Sequence, residues 1–368
     1  MKGLPKNKKL IPMWVPAVAA VVLLLIIISA LSRTNAALSD FINAYLATPI
    51  RVVMAALTRA LPFSLFELIL LLILPTVILL VVLAVRDSSA ARTKIRRIFA
   101  ALGIVGILFS GYLVVMTIPY NNTPLAERLG IREESDIDTE ELLRATVTAR
   151  DEVNRLAAEV ERQGEVGIMP YSSDEASRLI SEAYGSVREE YPFFYNFASR
   201  AKPVYFSGIM SDMGITGIYT YFTGEANVNT SFPDYCYTFT IAHEFAHQRG
   251  INRENEANFM AFFVLSRSED VFLRYSAYLN IYEYLTSALY SADPELYREV
   301  NSELDPLARA DIRAASEVVR AHTDSPLYTL MNRVNDAYLK SNGTEGVVSY
   351  GYVVRLAVGY FNSESAAE

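Results

Sequence analysis

Two of the three histidines in this chain are four residues apart, in the segment His243-Glu244-Phe245-Ala246-His247. On an α-helix, side chains at positions i and i+4 lie on one face, with Cβ atoms about 5–6 Å apart. Two imidazoles at this spacing can bind one zinc ion, each at a bond length of about 2.0–2.1 Å. Glu244 lies about 100° further round the helix, where it can reach a water molecule beside the ion but not easily the ion itself. The spacing therefore predicts an H-E-x-x-H zinc site with Glu244 as the catalytic general base.

The surroundings of the motif favour this interpretation. The residues before it are mostly apolar, as expected for a buried helix, and Gly250 predicts the end of that helix. Histidine is scarce in the chain, which lowers the chance of an accidental pair. Short motifs still occur by chance in unrelated proteins, so a membrane protein with an accidental motif stays as one alternative.

The third metal ligand has to come from another part of the sequence, because a catalytic zinc ion usually has three protein ligands. The metzincin pattern would place a histidine six residues after His247, but that position is Arg253. Glu254 falls in the first turn of the next predicted helix, with Asn258 on the same face. We therefore expect Glu254 to bind the metal and Asn258 to hydrogen-bond a ligand histidine or the carboxylate. Glu256 points about 200° away from Glu254, so only one of them can bind, and Glu256 is the alternative.

These two segments together resemble the gluzincin zinc peptidases. In that group a second motif, often E-x-x-A-D or E-x-E-A-D, lies on the helix that follows H-E-x-x-H. Here it reads Glu254-x-Glu256-Ala257-Asn258, with asparagine in the last position instead of aspartate. The resemblance implies a zincin-like fold, with Zn²⁺ held by His243, His247 and Glu254.

A second resemblance covers nearly the whole chain. It is carried by several apolar N-terminal segments, by Gly224-Glu225-Ala226-Asn227-Val228-Asn229, and by the continuation His247-Gln248-Arg249-Gly250. In these features the chain is similar to a family of uncharacterised bacterial membrane proteins, which is described only as a domain of unknown function. The resemblance implies a multi-span architecture and names no substrate.

Three apolar segments are long enough to cross a bilayer, which takes about 20 residues. They cover about 11–32, 61–85 and 98–119, and we interpret residues 1–119 as a membrane anchor. The connection 33–60 has apolar residues at helical spacing, which indicates short helices in the membrane interface, with a plain loop as the alternative.

Charge divides the chain into two parts. Residues 1–120 contain 12 Lys and Arg against 3 Asp and Glu, and the rest contains 21 against 38. Basic residues in short flanks mark the cytoplasmic side, and they stand before the first span and between the second and third: Lys2, Lys6, Lys8, Lys9, Arg86, Arg92, Lys94, Arg96 and Arg97. The N-terminus is therefore expected in the cytoplasm and residues 120–368 outside it. The net charge of −8 argues against a nucleic-acid partner.

Residues 120–368 predict a mainly helical α+β domain with a small sheet before the H-E-x-x-H helix. Segments 203–207 and 216–222 are rich in β-branched and aromatic residues, which indicates two strands. The segment 224–229 is interpreted as a polar strand end or loop. Cys236 is the single cysteine, so no intramolecular disulfide is expected.

The expected function is a membrane-anchored zinc metallopeptidase that hydrolyses a peptide or protein outside the cytoplasm. An extended substrate would pair with the edge of strand 216–222. Glu225, Asn227 and Asn229 are its candidate substrate-binding residues. The residue that stabilises the oxyanion stays open among Tyr278, Tyr282, Tyr284 and His322. A zinc-binding but non-catalytic extracellular sensor or scaffold is the alternative function.

The predicted orientation has a direct test. A protease added to intact cells should digest residues 120–368, because the basic flanks hold the other ends of the spans in the cytoplasm. Immunoblotting with an antibody against the C-terminal half measures the loss. Full protection of this half in cells with sealed membranes would contradict the orientation.

Overall fold

The computed structural model describes residues 9–87, 89, 91–132, 137–342, 344 and 352–365. Lys2, Lys6 and Lys8 of the first basic flank lie outside the described residues. The N-terminal part contains α1 Trp14–Ser32, α2 Ala36–Ile42, α3 Thr48–Arg59, α4 Leu65–Arg86 and α5 Ala91–Tyr112. A π-helical turn, Asn43–Ala47, joins α2 to α3, and α5 continues through a π-helical turn, Leu113–Thr117, and a 3₁₀ turn, Ile118–Asn121.

Four continuous helical segments are long and apolar enough to cross a membrane: Trp14–Ser32, Ala36–Arg59, Leu65–Arg86 and Ala91–Asn121. Three of them correspond to the predicted spans. The additional segment Ala36–Arg59 has both of its ends against the C-terminal half of the chain. Near its start, Ser39 Oγ lies 2.7 Å from Asn122 Oδ1, and near its end Lys202 Nζ donates to the Thr58 carbonyl at 2.8 Å. Both ends of the segment therefore contact the C-terminal half, and the helices predicted for residues 33–60 are present.

Helices α1 and α5 pack side by side and run parallel. A Cβ atom at Gly103 would lie 2.3 Å from the Trp14 ring, so the glycine permits this close approach. At the same end the Arg96 guanidinium donates to the Lys9 carbonyl. At the opposite end Asn121 Nδ2 donates to Ser32 Oγ at 3.1 Å. Lys9 and Arg96, one residue from each basic flank, therefore lie at one end of the helix pair, and Asn121, where the C-terminal half begins, lies at the other.

The C-terminal half is built mainly from helices. In chain order its elements are α6 Leu125–Leu129, α7 Thr139–Ala157, β1 Arg162–Gln163, β2 Val166–Gly167, α8 Ser173–Glu190, β3 Ala201–Val204, α9 Ser207–Asp212, β4 Gly217–Thr220, β5 Glu225–Asn229, α10 Asp234–Gln248, α11 Glu254–Ser266, α12 Val271–Ala292, α13 Pro294–Ser302, α14 Pro306–His322, α15 Pro326–Ser341 and α16 Val353–Ser365.

Helices α10 and α11 form the centre of the core of this half, and most of their residues are buried. Helices α8, α12 and α16 pack around them, α7 packs on α12 and α16, and Tyr360 of α16 contacts the rings of Phe259 and Phe262. A helix that is apolar on every side is typical of such a central position. The motif helix therefore lies in the most constrained part of the molecule.

The sheet before α10 has three strands in the order β3-β5-β4. Strand β5 is parallel to β3 and antiparallel to β4. The sequence predicted segment 224–229 only as a strand end or loop, whereas β5 is the central strand and all of its residues are buried. The sequence did not indicate a central strand because most residues of β5 are polar, whereas a buried strand usually consists of apolar residues. The edge position predicted for segment 216–222 agrees with β4.

The polar residues of β5 bind other parts of the protein rather than facing a cleft. The Glu225 carboxylate accepts hydrogen bonds from the backbone N–H groups of Leu65 and Phe66 at the start of α4, both at 2.9 Å. Asn227 bonds to Ser64, and Asn229 bonds to Ser211. Glu225, Asn227 and Asn229 were predicted to bind substrate, but they are at most 1% exposed. Their side chains are structural groups that join the sheet to its neighbours.

This structural role predicts the effect of Glu225→Gln. Loss of the charge at the N-terminus of α4 should cost about 1–3 kcal/mol, because a buried charge-assisted pair is weakened. In detergent-solubilised full-length protein the thermal midpoint should fall by several degrees. The control is Glu182→Gln, which removes an exposed carboxylate paired with Arg178 and should change little. Equal midpoints for the two variants would contradict the structural role.

Candidate metal centre

His243, His247 and Glu254 meet at one point between α10 and α11. The Nε2 atoms of the two histidines are 3.1 Å apart, and Glu254 Oε2 lies 3.2 Å from the first and 3.6 Å from the second. Ligand atoms in a tetrahedron with bonds of about 2.0–2.1 Å are about 3.3–3.4 Å apart. The three side chains are thus already at the separations of three corners of a zinc coordination sphere.

The protonation of His247 follows from its second ring nitrogen. His247 Nδ1 lies 2.9 Å from the Ile251 carbonyl, which can only accept a hydrogen bond. In the neutral imidazole Nδ1 therefore carries the hydrogen, and Nε2 presents its lone pair to His243 and Glu254. A backbone carbonyl in this role is typical of metal-binding histidines. Three electron-rich atoms facing each other in a buried place need a cation or a proton between them, so the residues fit a metal ion.

The pKa shifts of His247 and Glu254 in the metal-free site also favour a bound cation. Burial acts to lower the pKa of His247, but the Glu254 carboxylate outweighs it and raises that pKa to about 9. Burial acts to raise the pKa of Glu254, but the two histidines hold it well below its ordinary value. The site without metal therefore holds a proton near neutral pH, and a metal ion has to replace it.

Glu244 lies beside this cluster and is not one of the three converging groups. Its side chain is 3% exposed, and its Oε2 atom is buried without a hydrogen-bond partner among the described residues. Burial raises the pKa of the Glu244 carboxyl above its ordinary value, against the opposing effect of His243 and His247. A buried carboxylate oxygen without a partner costs free energy unless a ligand or water binds it. Glu244 is thus placed to bind a group that enters the site.

Gly217 is the residue that makes room for Glu244. A Cβ atom at Gly217 would lie 2.5 Å from Glu244 Oε1 and 2.5 Å from Thr240 Cγ2. Any larger side chain would push the carboxylate away or separate β4 from α10. A glycine inside a predicted strand indicates such a close approach, and this signal could have been used in the sequence.

The loop before Glu254 is held by the helical turns that continue the apolar helix α5. Gly250 ends α10 with φ of +89°, as the sequence predicted. Asn252 Nδ2 then donates to the carbonyls of Val115 and Met116 at 2.9 and 2.8 Å. The Arg253 guanidinium donates to the Tyr120 carbonyl. Residues 113–122, on both sides of the boundary predicted at residue 119, therefore support the segment that precedes Glu254.

The structure distinguishes the two glutamates that the sequence left open. Glu256 forms an ion pair with Arg253 at 2.7 Å and accepts a hydrogen bond from the Leu125 N–H. It points away from the histidines, so Glu254 is the metal ligand that the geometry offers. Among the described residues Asn258 forms no hydrogen bond with the ligands, and its Nδ2 atom is buried without a partner. The expected contact is missing because Asn258 faces the cavity next to the metal site instead.

The metal site opens into a cavity of about 590 Å³. Its wall includes Glu244, the edge strand β4, residues of α15 and the end of α5. Tyr284 is the member of the predicted oxyanion set that lines it. The Tyr282 hydroxyl bonds to Asn301 and Tyr278 packs on Phe262. His322 Nδ1 lies 2.7 Å from Asp212 Oδ1 at the end of α14, away from the cluster.

Comparison with protein families identifies the relatives of the chain. A family model described as protein of unknown function (DUF3810) matches residues 43–358, which is most of the chain. The chain belongs to this family. The matched region of this DUF3810 member includes α3, the end of α5 and both helices of the metal cluster. Comparisons with curated proteins and with solved structures found no match.

Metal binding has a thermodynamic signature that follows from the protonated site. Zinc binding at pH 7 should release about one proton, and the affinity should rise with pH until the pH exceeds about 9, the pKa above which His247 is mostly neutral. Calorimetry in two buffers of different ionisation enthalpy measures the proton release. His243→Ala should abolish stoichiometric binding, and His322→Ala is the matched control that should bind as wild type does. Stoichiometric zinc in the His243→Ala variant would contradict the assignment.

Proposed function

We propose that this chain is a membrane-anchored zinc metallopeptidase. The observation that carries the proposal is the buried, unpartnered oxygen of Glu244 next to three side chains with metal-ligand separations. A structural zinc site is normally closed by four protein ligands. Among the described residues the cluster offers three, so a fourth position is available for water or substrate, and a base stands beside it.

The chemistry is divided between the metal and the protein. Zinc bound here would supply a Lewis acid that lowers the pKa of a water molecule and polarises the scissile carbonyl. Glu244 accepts the proton of the attacking water and transfers it to the nitrogen of the leaving amine. The C–N bond breaks as the new C–O bond forms, so one water is consumed for each peptide bond. Tyr284 is the cavity residue that can donate a hydrogen bond to the oxyanion.

The strand β4 offers a place for an extended substrate. The Asn229 N–H donates to the Thr216 carbonyl, so the alternation of an antiparallel ladder directs the backbone of Ile218 toward β5. The backbone groups of Gly217 and the Tyr219 carbonyl then face the open edge, while the Tyr219 N–H donates to the Glu244 carboxylate. A peptide that added to this edge would run past Glu244.

The location is part of the same proposal. Helices α1, α4 and α5 cross the bilayer, with the basic flanks in the cytoplasm and the metal site on the other side. The support is that Lys9 and Arg96, one residue from each basic flank, lie at the end of the helix pair opposite to Asn121. The resulting enzyme would act on a peptide or protein outside the cytoplasm.

Glu244→Gln tests the catalytic role separately from metal binding. The variant should keep zinc at wild-type stoichiometry, since the amide does not replace a ligand, and should lose peptide hydrolysis by about 10²–10⁴-fold. The assay uses zinc-loaded full-length protein and a mixed peptide library analysed by mass spectrometry. Glu182→Gln, on the exposed face of α8, is the control with unchanged activity.

Equal hydrolysis by wild type and Glu244→Gln would contradict the mechanism. Stoichiometric zinc in both proteins without hydrolysis in either would favour the non-catalytic sensor or scaffold over the enzyme.

A further inference from the structure

The cavity of the metal site reaches the membrane helix α5. Tyr112 and Met116, in the last turns of the segment Ala91–Asn121, form part of its wall. Tyr221, which follows β4, lines the same cavity and donates from its hydroxyl to the Leu108 carbonyl at 3.2 Å. The side chain of Leu108 is 50% exposed on the apolar surface of α5. One wall of the cavity is therefore the second half of a helix that is apolar enough to lie in lipid.

Strand β4 extends from the Glu244 carboxylate toward this wall, so its length gives the distance between them. Glu244 contacts the strand at Gly217, and the contact with α5 is made by Tyr221, four residues later. An extended chain rises about 3.3 Å per residue, so these two points are about 13 Å apart along the strand. A substrate paired with β4 would have its scissile bond about four residues from the membrane end of the cavity.

Aromatic side chains surround the same end of the sheet. Phe222 contacts the ring of Phe66 in the first turn of α4, with centroids 6.1 Å apart. Tyr205 and Phe206 follow β3, are 87% and 39% exposed, and their N–H groups donate to Glu67 of α4. Exposed aromatic residues at the end of a membrane helix are typical of the headgroup region. This end of the sheet is therefore expected at the membrane surface.

Helix α15 lies over the cavity on another side. Met331 lines the cavity, whereas Leu327 and Leu330 are exposed on the outer face. At the C-terminal end of α15, the Ser341 carbonyl accepts a hydrogen bond from Arg33, which follows α1. The helix thus ends next to a second membrane segment, so two separate walls of the cavity are attached to the ends of membrane helices.

We propose that the substrate is the juxtamembrane segment of a membrane-anchored polypeptide, which is cleaved about four to ten residues from the bilayer. The proposal rests on the peptidase function proposed above. The lower bound of about four residues is the length of β4, and the upper bound of about ten adds the substrate residues that cross the headgroup layer. Anchoring in the same membrane raises the effective concentration of the segment. A short edge with few free outward backbone groups, those of Gly217 and the Tyr219 carbonyl, is then sufficient for binding.

The experiment compares one randomised segment in two forms. The segment has about 30 residues, which is about 100 Å when extended, and it links a soluble tag to a single membrane helix. The second form has the same segment and tag without the helix. Zinc-loaded full-length wild type or Glu244→Gln is reconstituted in liposomes with each form, and mass spectrometry locates the cuts.

The expected result is cleavage by wild type alone, within about ten residues of the membrane helix. At equal bulk concentration the form without the membrane helix should be cleaved at least about tenfold more slowly than the anchored form. Cuts spread evenly along the anchored segment, or equal rates for the two forms, would overturn the substrate proposal and leave the peptidase function in place. Failure of wild type to cut either form would overturn both.

Discussion

The molecule depends on holding three electron-rich atoms close together inside the protein. The Nε2 atoms of His243 and His247 and an oxygen of Glu254 lie 3.1–3.6 Å from one another, which is unfavourable without a cation or proton. The helix pair α10 and α11 must therefore be rigid enough to keep them there. Burial of nearly every residue of both helices provides that rigidity.

The link between these two helices is fixed by the membrane helix rather than by the core. The π-helical turn Leu113–Thr117 interrupts the regular bonding of α5, and the Val115 carbonyl accepts hydrogen bonds from Asn252 and from Arg51. Such turns are frequently found at functional sites. The candidate metal site and the apolar segment Ala91–Asn121 thus share one network of hydrogen bonds.

Hydrogen bonds to the N-terminal helices also explain why the central strand of the sheet is polar. Glu225 binds the N-terminus of α4, and Lys202 of β3 binds carbonyls at the end of α3. A buried charge is tolerated only when it is paired or hydrogen-bonded, so these contacts fix how the sheet sits against the membrane helices. Membership in the DUF3810 family describes kinship and not chemistry, so any activity has to follow from the residues of the site itself.

The sequence by itself determined the features that depend on local spacing. Helical periodicity placed His243 and His247 on one face, and hydropathy located three of the four long apolar helical segments among the described residues. These signals are local because hydrogen bonds and side-chain neighbours within a helix lie three to four residues apart.

Tertiary structure alone decided the contacts between distant segments. Glu254 rather than Glu256 joined the histidines because Arg253 and Leu125 bind Glu256. Segment 225–229 became a central strand, and residues 113–122 became part of the site's support, although their composition assigned them elsewhere. These outcomes depend on which buried polar groups find partners over a hundred residues away, and no periodicity within one segment contains that information.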